Sequence, residues 1–175
     1  MAQRIDLAAY QEAIAARLAA AEAGGGVPAL LGFEAGGERW LVDLSAAGEV
    51  LPVPELTPVP LTRDWFAGLA NVHGELAGVV DFARFCGLAP APRGISARLI
   101  CIGTEPGYRV ALLVSRLLGV KRADGFAEAE GAPALCQADW CGPAYTDASG
   151  GLWRRLEVEQ LLADPVFLDA ALPES

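Results

Sequence analysis

The sequence predicts a mainly β protein of barrel type, framed by one helix at each end. Three observations predict it. Short apolar runs with period-two alternation recur about 8–12 residues apart. Turn signals rich in proline and glycine separate them. Helical periodicity is confined to the two ends of the chain.

Residues 5–23 read as an Ala-rich amphipathic helix, because Leu7, Tyr10, Ile14, Leu18 and Ala21 recur three or four positions apart. The three glycines at 24–26 end it and form a linker. The stretch "ERWLVDLSAAGEVLPV" then alternates, with Trp40, Val42 and Leu44 on one face and Leu41 and Asp43 on the other. "PVPELTPVP" holds four prolines in nine residues and reads as an extended surface crossing. In "LTRDWFAGLA", Thr62 is an expected N-cap for a short helical turn.

"ELAGVVDF" follows as a strand, "ARFCGL" as a turn of helix closed by Gly87, and "APAPRG" as a link. "ARLICIG" and "YRVALLVSRLLGV" read as two strands of a hairpin joined at "TEPG". Residues 123–151, rich in Ala, Gly, Pro and Asp, show no clear period apart from a hairpin expected around Asp147–Gly151. At the C-terminal end Val158, Leu161, Leu162 and Phe167 have helical spacing, and Pro165 is placed to begin a second turn. Heptads and internal repeats are missing from the pattern.

Charge and composition narrow the function classes. Lys plus Arg number 13 against 22 Asp plus Glu, a net charge of −9, which opposes binding to phosphate backbones and to anionic membranes. Nucleic acid is therefore not an expected partner. Arg4, Asp6, Gln11, Glu12, Arg17 and Glu22 interrupt the N-terminal stretch, so it does not read as a signal peptide. No run of about 18 uncharged apolar residues is present to span a bilayer. The expected setting is cytoplasmic, where Cys86, Cys101, Cys136 and Cys141 stay reduced.

His73 is the only histidine, and a catalytic role would need a nucleophile and an orienting carboxylate beside it. Cys86 with Asp81 are the candidates, yet no nucleophile elbow or cysteine-protease signature surrounds them. Cys136 and Cys141 have a spacing a zinc site can use, but His73, Cys86 and Cys101 offer no second pair of ligands. Buried thiols acting as small hydrophobes are the expectation. The glycines at 24–26 and in "GFEAGG" lack the Lys-Ser/Thr that follows a phosphate loop. Trp40, Trp65, Trp140 and Trp153 are expected as core or partner-facing anchors. The sequence thus predicts no catalytic, metal or cofactor site, and points to binding or scaffolding.

Residues 30–122 resemble the CheW-like domain of bacterial chemotaxis coupling proteins. "RWLVDLSAAGEVL" is similar to the first-barrel strand of that family and the turn after it. "WFAGLANVHGELAGVVDFARFCGL" is similar to its central signature, matched at Gly68, Asn71, Gly74, Val79, Val80, Asp81, Phe85, Gly87 and Leu88. Two positions depart from the pattern. His73 stands where the family has arginine, and Ser115-Arg116 stand where it often has acidic residues. Arginine makes bidentate, permanently charged contacts, whereas histidine, with an ordinary pKa of about 6.5, is mostly neutral at pH 7. The first helix, the segment around Trp153 and the ending "LLADPVFLDAAL" resemble the PilI-type branch, which serves chemosensory systems controlling type IV pili.

The resemblance implies two small five-stranded SH3-like barrels packed together, with residues 1–26 as helix and linker and 27–175 as the CheW-like domain. It implies a non-enzymatic adaptor between a methyl-accepting chemotaxis receptor tip and the regulatory domain of a CheA-type histidine kinase. By position, Ala47, Glu49, Val50, Asn71, His73 and Gly74 match places near the receptor-facing groove. Plainer roles stand beside these: a positive φ at Gly74, a loop cap at Asn71, a solvated charge at Glu49. A domain that has lost receptor coupling is the alternative that the two departures allow.

Overall fold

The computed structural model describes residues 26–105 and 108–172. The helix expected at 5–23 and the Pro106-Gly107 turn lie outside the described residues.

Eleven strands are described. They are β1 (Ala29–Ala35), β2 (Glu38–Asp43), β3 (Val50–Pro52), β4 (Phe66–Val72), β5 (Glu75–Asp81), β6 (Arg98–Glu105), β7 (Tyr108–Val114), β8 (Arg116–Arg122), β9 (Phe126–Glu128), β10 (Cys141–Asp147) and β11 (Leu152–Leu156). Three short helices accompany them: α1 (Phe82–Phe85), α2 (Val158–Ala163) and α3 (Pro165–Leu168). The strands form two curled sheets, ordered β8-β1-β2-β11-β10-β9 and β3-β6-β7-β5-β4. The mainly β, two-sheet architecture is the one expected, and β9 extends the first sheet to a sixth strand. Most neighbours are antiparallel, while β11 runs parallel to β2 and β5 parallel to β7.

Alternation explains how each sheet buries its faces. Trp40, Val42 and Leu44 enter the main core, and Leu41 on the other face packs with Leu30 and Trp153 in a small second cluster. The main core spans both sheets: Phe33 and Trp40 from the first meet Val80, Ile100, Leu112 and Val114 from the second. Phe82 at the start of α1 stands edge-on to Trp40, with ring centroids 4.8 Å apart. Asp81 caps α1 by accepting from Arg84 N, and also accepts from Ala91 N, so one buried carboxylate fixes both the helix start and the link to β6. Asp164 caps α3 in the same way, ahead of Pro165 at the first helical position, as the spacing predicted.

Two expectations are corrected, and one unassigned region is filled in. Thr62 is no N-cap: its hydroxyl donates to Val59 O at 2.8 Å, the residue bridges to Ala171, and β4 begins at Phe66. The run 108–120 is two strands, because at Ser115 the chain leaves the second sheet and enters the first, where Ser115 N donates to Glu34 O. Residues 123–151 contain a 3-10 turn (Ala123–Gly125) and β9 besides the expected β10–β11 hairpin. Arg154, 7% exposed, ties that region down by pairing with Glu38 and donating to Pro133 O.

Candidate functional site

The β4–β5 hairpin closes with two residues, His73 and Gly74, between the paired Val72 and Glu75. Both have positive φ, 52° and 84°, the backbone sign pattern that matches a two-residue turn to the right-handed twist of its strands. Gly74 adopts it at no steric cost, and histidine is among the side chains that tolerate it. Asn71 Oδ1 accepts from Gly74 N at 2.8 Å and locks the turn from inside. The hydrogen bond and the two positive φ angles together define the shape of the turn.

Beside it lies the segment between β2 and β3. Gly48 N donates to Cys101 O and Cys101 N donates to Glu49 O, both at 2.8 Å, which anchors this segment to β6. The anchoring brings Glu49 Oε1 to 2.6 Å from His73 Nε2. The imidazole is 69% exposed and the carboxylate 30%, so the pair sits at the surface with the carboxylate set deeper. Next along the hairpin Glu75 forms an ion pair with Arg109 of β7. A cavity of about 120 Å³, lined by Glu49, Val72, Cys101, Arg109 and Val110 among others, opens between these groups. Arg109 and Val110 also line a second cavity of about 170 Å³ reaching Phe66, Phe167 and Leu168.

Of the six positions singled out from the sequence, Glu49, Asn71, His73 and Gly74 come together at this tip. Val50 lies at its edge, half-buried and paired with Ile100. Ala47 does not face solvent: at 6% exposure it belongs to the main core, so its side chain supports the segment from beneath. Glu75, Cys101 and Arg109 also belong to the site and were not singled out. Only the register of the sheet brings β6 and β7 to this hairpin, a relation that no local motif carries.

Burial, with a smaller contribution from Glu49, pushes the Cys101 thiol up to about 11, so it stays protonated at neutral pH. Burial raises Cys86 further, helped by Cys136 and Cys141, and lifts Cys141 to about 11. His73, Cys86 and Asp81 are not assembled: His73 faces Glu49, while Asp81 is spent on backbone donors. Among the described residues no three His, Cys, Asp or Glu side chains are grouped to hold a metal ion, and no helix is long and apolar enough to cross a membrane.

Comparison with known proteins places this geometry. The model of the CheW-like domain matches residues 29–166. Protein PilI of Pseudomonas aeruginosa is 29% identical over 100 residues, 56% of either chain. Chemotaxis protein CheW of Thermotoga maritima is 28% identical over 93 residues, 53% of this chain and 60% of that protein. Protein FrzA of Myxococcus xanthus is 31% identical over 90 residues, 51% of this chain and 56% of that protein. The chain thus spans somewhat more than half the length of these relatives. The crystal structure of the scaffolding protein TtCheW from Thermoanaerobacter tengcongensis superimposes with a TM-score of 0.64 over 75% of this chain and 89% of that one, at 16% identity. That likeness is one of fold. With more than half of its length matched by the domain model, the chain belongs to the CheW-like domain family.

Proposed function

We propose that this protein is a non-enzymatic adaptor that couples a methyl-accepting chemotaxis receptor to a CheA-type histidine kinase, in the cytoplasm and in a system controlling type IV pili. The observation that carries the reading is the rigid hairpin tip: four polar or turn residues, Glu49, Asn71, His73 and Gly74, held by their own hydrogen bonds beside a cavity, with no reactive constellation around them. Such a surface recognises a partner and does no chemistry on it. Family membership supports the adaptor class, and the similarity to PilI supports the pilus setting.

In this reading residues 27–175 form the coupling domain and 1–26 an appended helix and linker. Glu49, Val50, Asn71, His73 and Gly74 meet the receptor tip, with Ala47 packed beneath them, and the regulatory domain of the kinase binds elsewhere on the two-sheet body.

Calorimetric titration with the regulatory domain of the kinase encoded nearest to the gene tests the reading. Saturable binding in the micromolar range is expected, and none at several hundred micromolar overturns it. A second titration, with a receptor hairpin fragment, separates a working coupler from a domain that has lost receptor binding. The native chain binds the fragment in the first case. In the second it does not, and His73→Arg restores binding by supplying a bidentate, permanently charged contact.

A further inference from the structure

Cys86, Cys136 and Cys141 are half-buried thiols that all pack against the main core. Ring contacts and a turn bring them together. Cys86 ends α1, directly after Phe85, and the Phe85 ring meets that of Trp140 with centroids 5.3 Å apart. Trp140 directly precedes Cys141, the first residue of β10. Cys141 N donates to Ala138 O at 3.0 Å, and this turn folds the chain back so that Cys136 meets Cys141. The two thiols hydrogen-bond to each other, and Cys136 N also donates to the Cys141 sulfur.

The same turn is a structural junction. Trp140, 4% exposed, also packs on Trp40 and Phe82, with centroids 6.3 and 5.9 Å away. Its carbonyl accepts from Glu157 N at 2.9 Å, just ahead of α2. Residues 136–141 therefore join β2, α1 and the C-terminal helices. Gln137 and Asp139 are exposed, so the outer side of the turn faces solvent.

We propose that Cys136 and Cys141 form a reversible oxidation site, a dithiol that a low-molecular-weight disulfide converts into an intramolecular disulfide across this turn. A disulfide needs two cysteines whose side chains point at one another, and the mutual hydrogen bond of the reduced pair meets that condition. The reaction is two successive exchanges. One protein thiol loses its proton and, as thiolate, attacks a sulfur of the small disulfide, expelling one small thiolate. The other protein thiol then loses its proton and attacks the protein sulfur of the mixed disulfide, expelling the second small thiolate. The two protons pass to the departing thiolates, so two protein thiols are oxidised and one small disulfide is reduced to two thiols.

The surroundings select this pair. Burial lifts Cys86 well above the ordinary thiol range, with smaller contributions from Cys136 and Cys141, and holds it protonated and unreactive. Cys101 belongs to β6 of the other sheet, beside Glu49. Burial also raises Cys141, to about 11, while the buried Arg154 opposes that rise. Exchange is therefore slow at neutral pH and accelerates as the pH rises.

The test uses the full-length reduced chain with no receptor and no kinase, so its outcome is independent of coupling. The protein is incubated with glutathione disulfide, alkylated and cut with trypsin, which releases residues 123–154 as one peptide. The expected peptide is lighter by two hydrogen atoms and takes up no alkylating agent, while Cys86 and Cys101 stay free and dithiothreitol restores both sites. In the oxidised protein the Cys141 and Glu157 amides, which donate into this turn, are expected to exchange at least tenfold more slowly. Cys136→Ser and Cys141→Ser are each expected to yield only the mixed disulfide. Leu112→Ala separates reaction in the folded chain from reaction through unfolding, and its oxidation rate is expected to match the native one. Absence of an intramolecular link overturns the proposal, as does a link that includes Cys86, Cys101 or a second chain. Unchanged exchange at Cys141 and Glu157, or oxidation of Leu112→Ala accelerated in step with its lost stability, overturns it too.

Discussion

Asp147 accepts four hydrogen bonds: from Ser149 N and Gly151 N at 2.9 Å, Ser149 Oγ at 2.6 Å and Trp153 Nε1 at 2.8 Å. Those donors, Ser149 and Trp153 foremost, hold its carboxyl well below the usual carboxylate range. A carboxyl depressed in the folded state stabilises the fold above its unfolded value of about 3.9, and that contribution drains away as the pH falls towards the folded value. Asp147→Asn keeps the shape and removes the charge. Its melting temperature is expected to lie below the native one at pH 7, with the gap narrowing from about pH 4 downwards. Scanning calorimetry across pH 7 to 2.5 checks this, and a pH-independent gap rules it out. The turn was legible from "DASGG", because Asp, Ser and Gly each have a turn role. The Glu49–His73 pair was not, since its partners lie 24 residues apart and meet only through the anchoring of residues 48–49 on β6.

Strands were readable where their alternation ran unbroken and were hidden where it slipped. In β4 the register shifts between Phe66 and Gly68, so the apolar residues fall out of a period of two and imitate a helical turn. The β7–β8 junction fails in the opposite way, because the alternation continues through Ser115 while the chain changes sheets. Gly68 is the device behind the first of these. Its φ is 130°, and a Cβ there would lie 2.4 Å from Thr57 O, whose residue is held by two reciprocal 2.8 Å hydrogen bonds to Leu69. Neither the glycine nor the segment that crosses it at Thr57 has room to give. Gly68→Ala is therefore expected to lose roughly 3 kcal/mol or more. Gly74→Ala, with open space around its Cβ, is expected to lose only about 1 kcal/mol. Urea unfolding of both variants measures the contrast, and equal losses rule out the steric account.

The number of sheets was legible only through the resemblance, but whether they stand as one unit is decided by packing. Phe33, Trp40 and Val42 of the first sheet and Ile100, Leu112 and Val114 of the second belong to a single buried cluster. The chain crosses between the sheets at Ser115, and residues 44–49 join them again beside the hairpin tip. A smaller cluster, with Leu99, Ala111 and Leu113, belongs to the second sheet alone. If the shared cluster dominates, neither sheet persists without the other, and a cavity in one destabilises both. Leu112 is fully buried in that cluster, so Leu112→Ala is expected to cost about 2–5 kcal/mol. In native-state hydrogen exchange the slowest amides of β1 and β2 should then lose the same protection as those of β6 and β7, because both exchange through one global opening. Loss confined to the second sheet shows two units that open separately. Equal loss means that a partner seated at the hairpin tip, by stabilising the second sheet, raises the stability of the first by the same free energy.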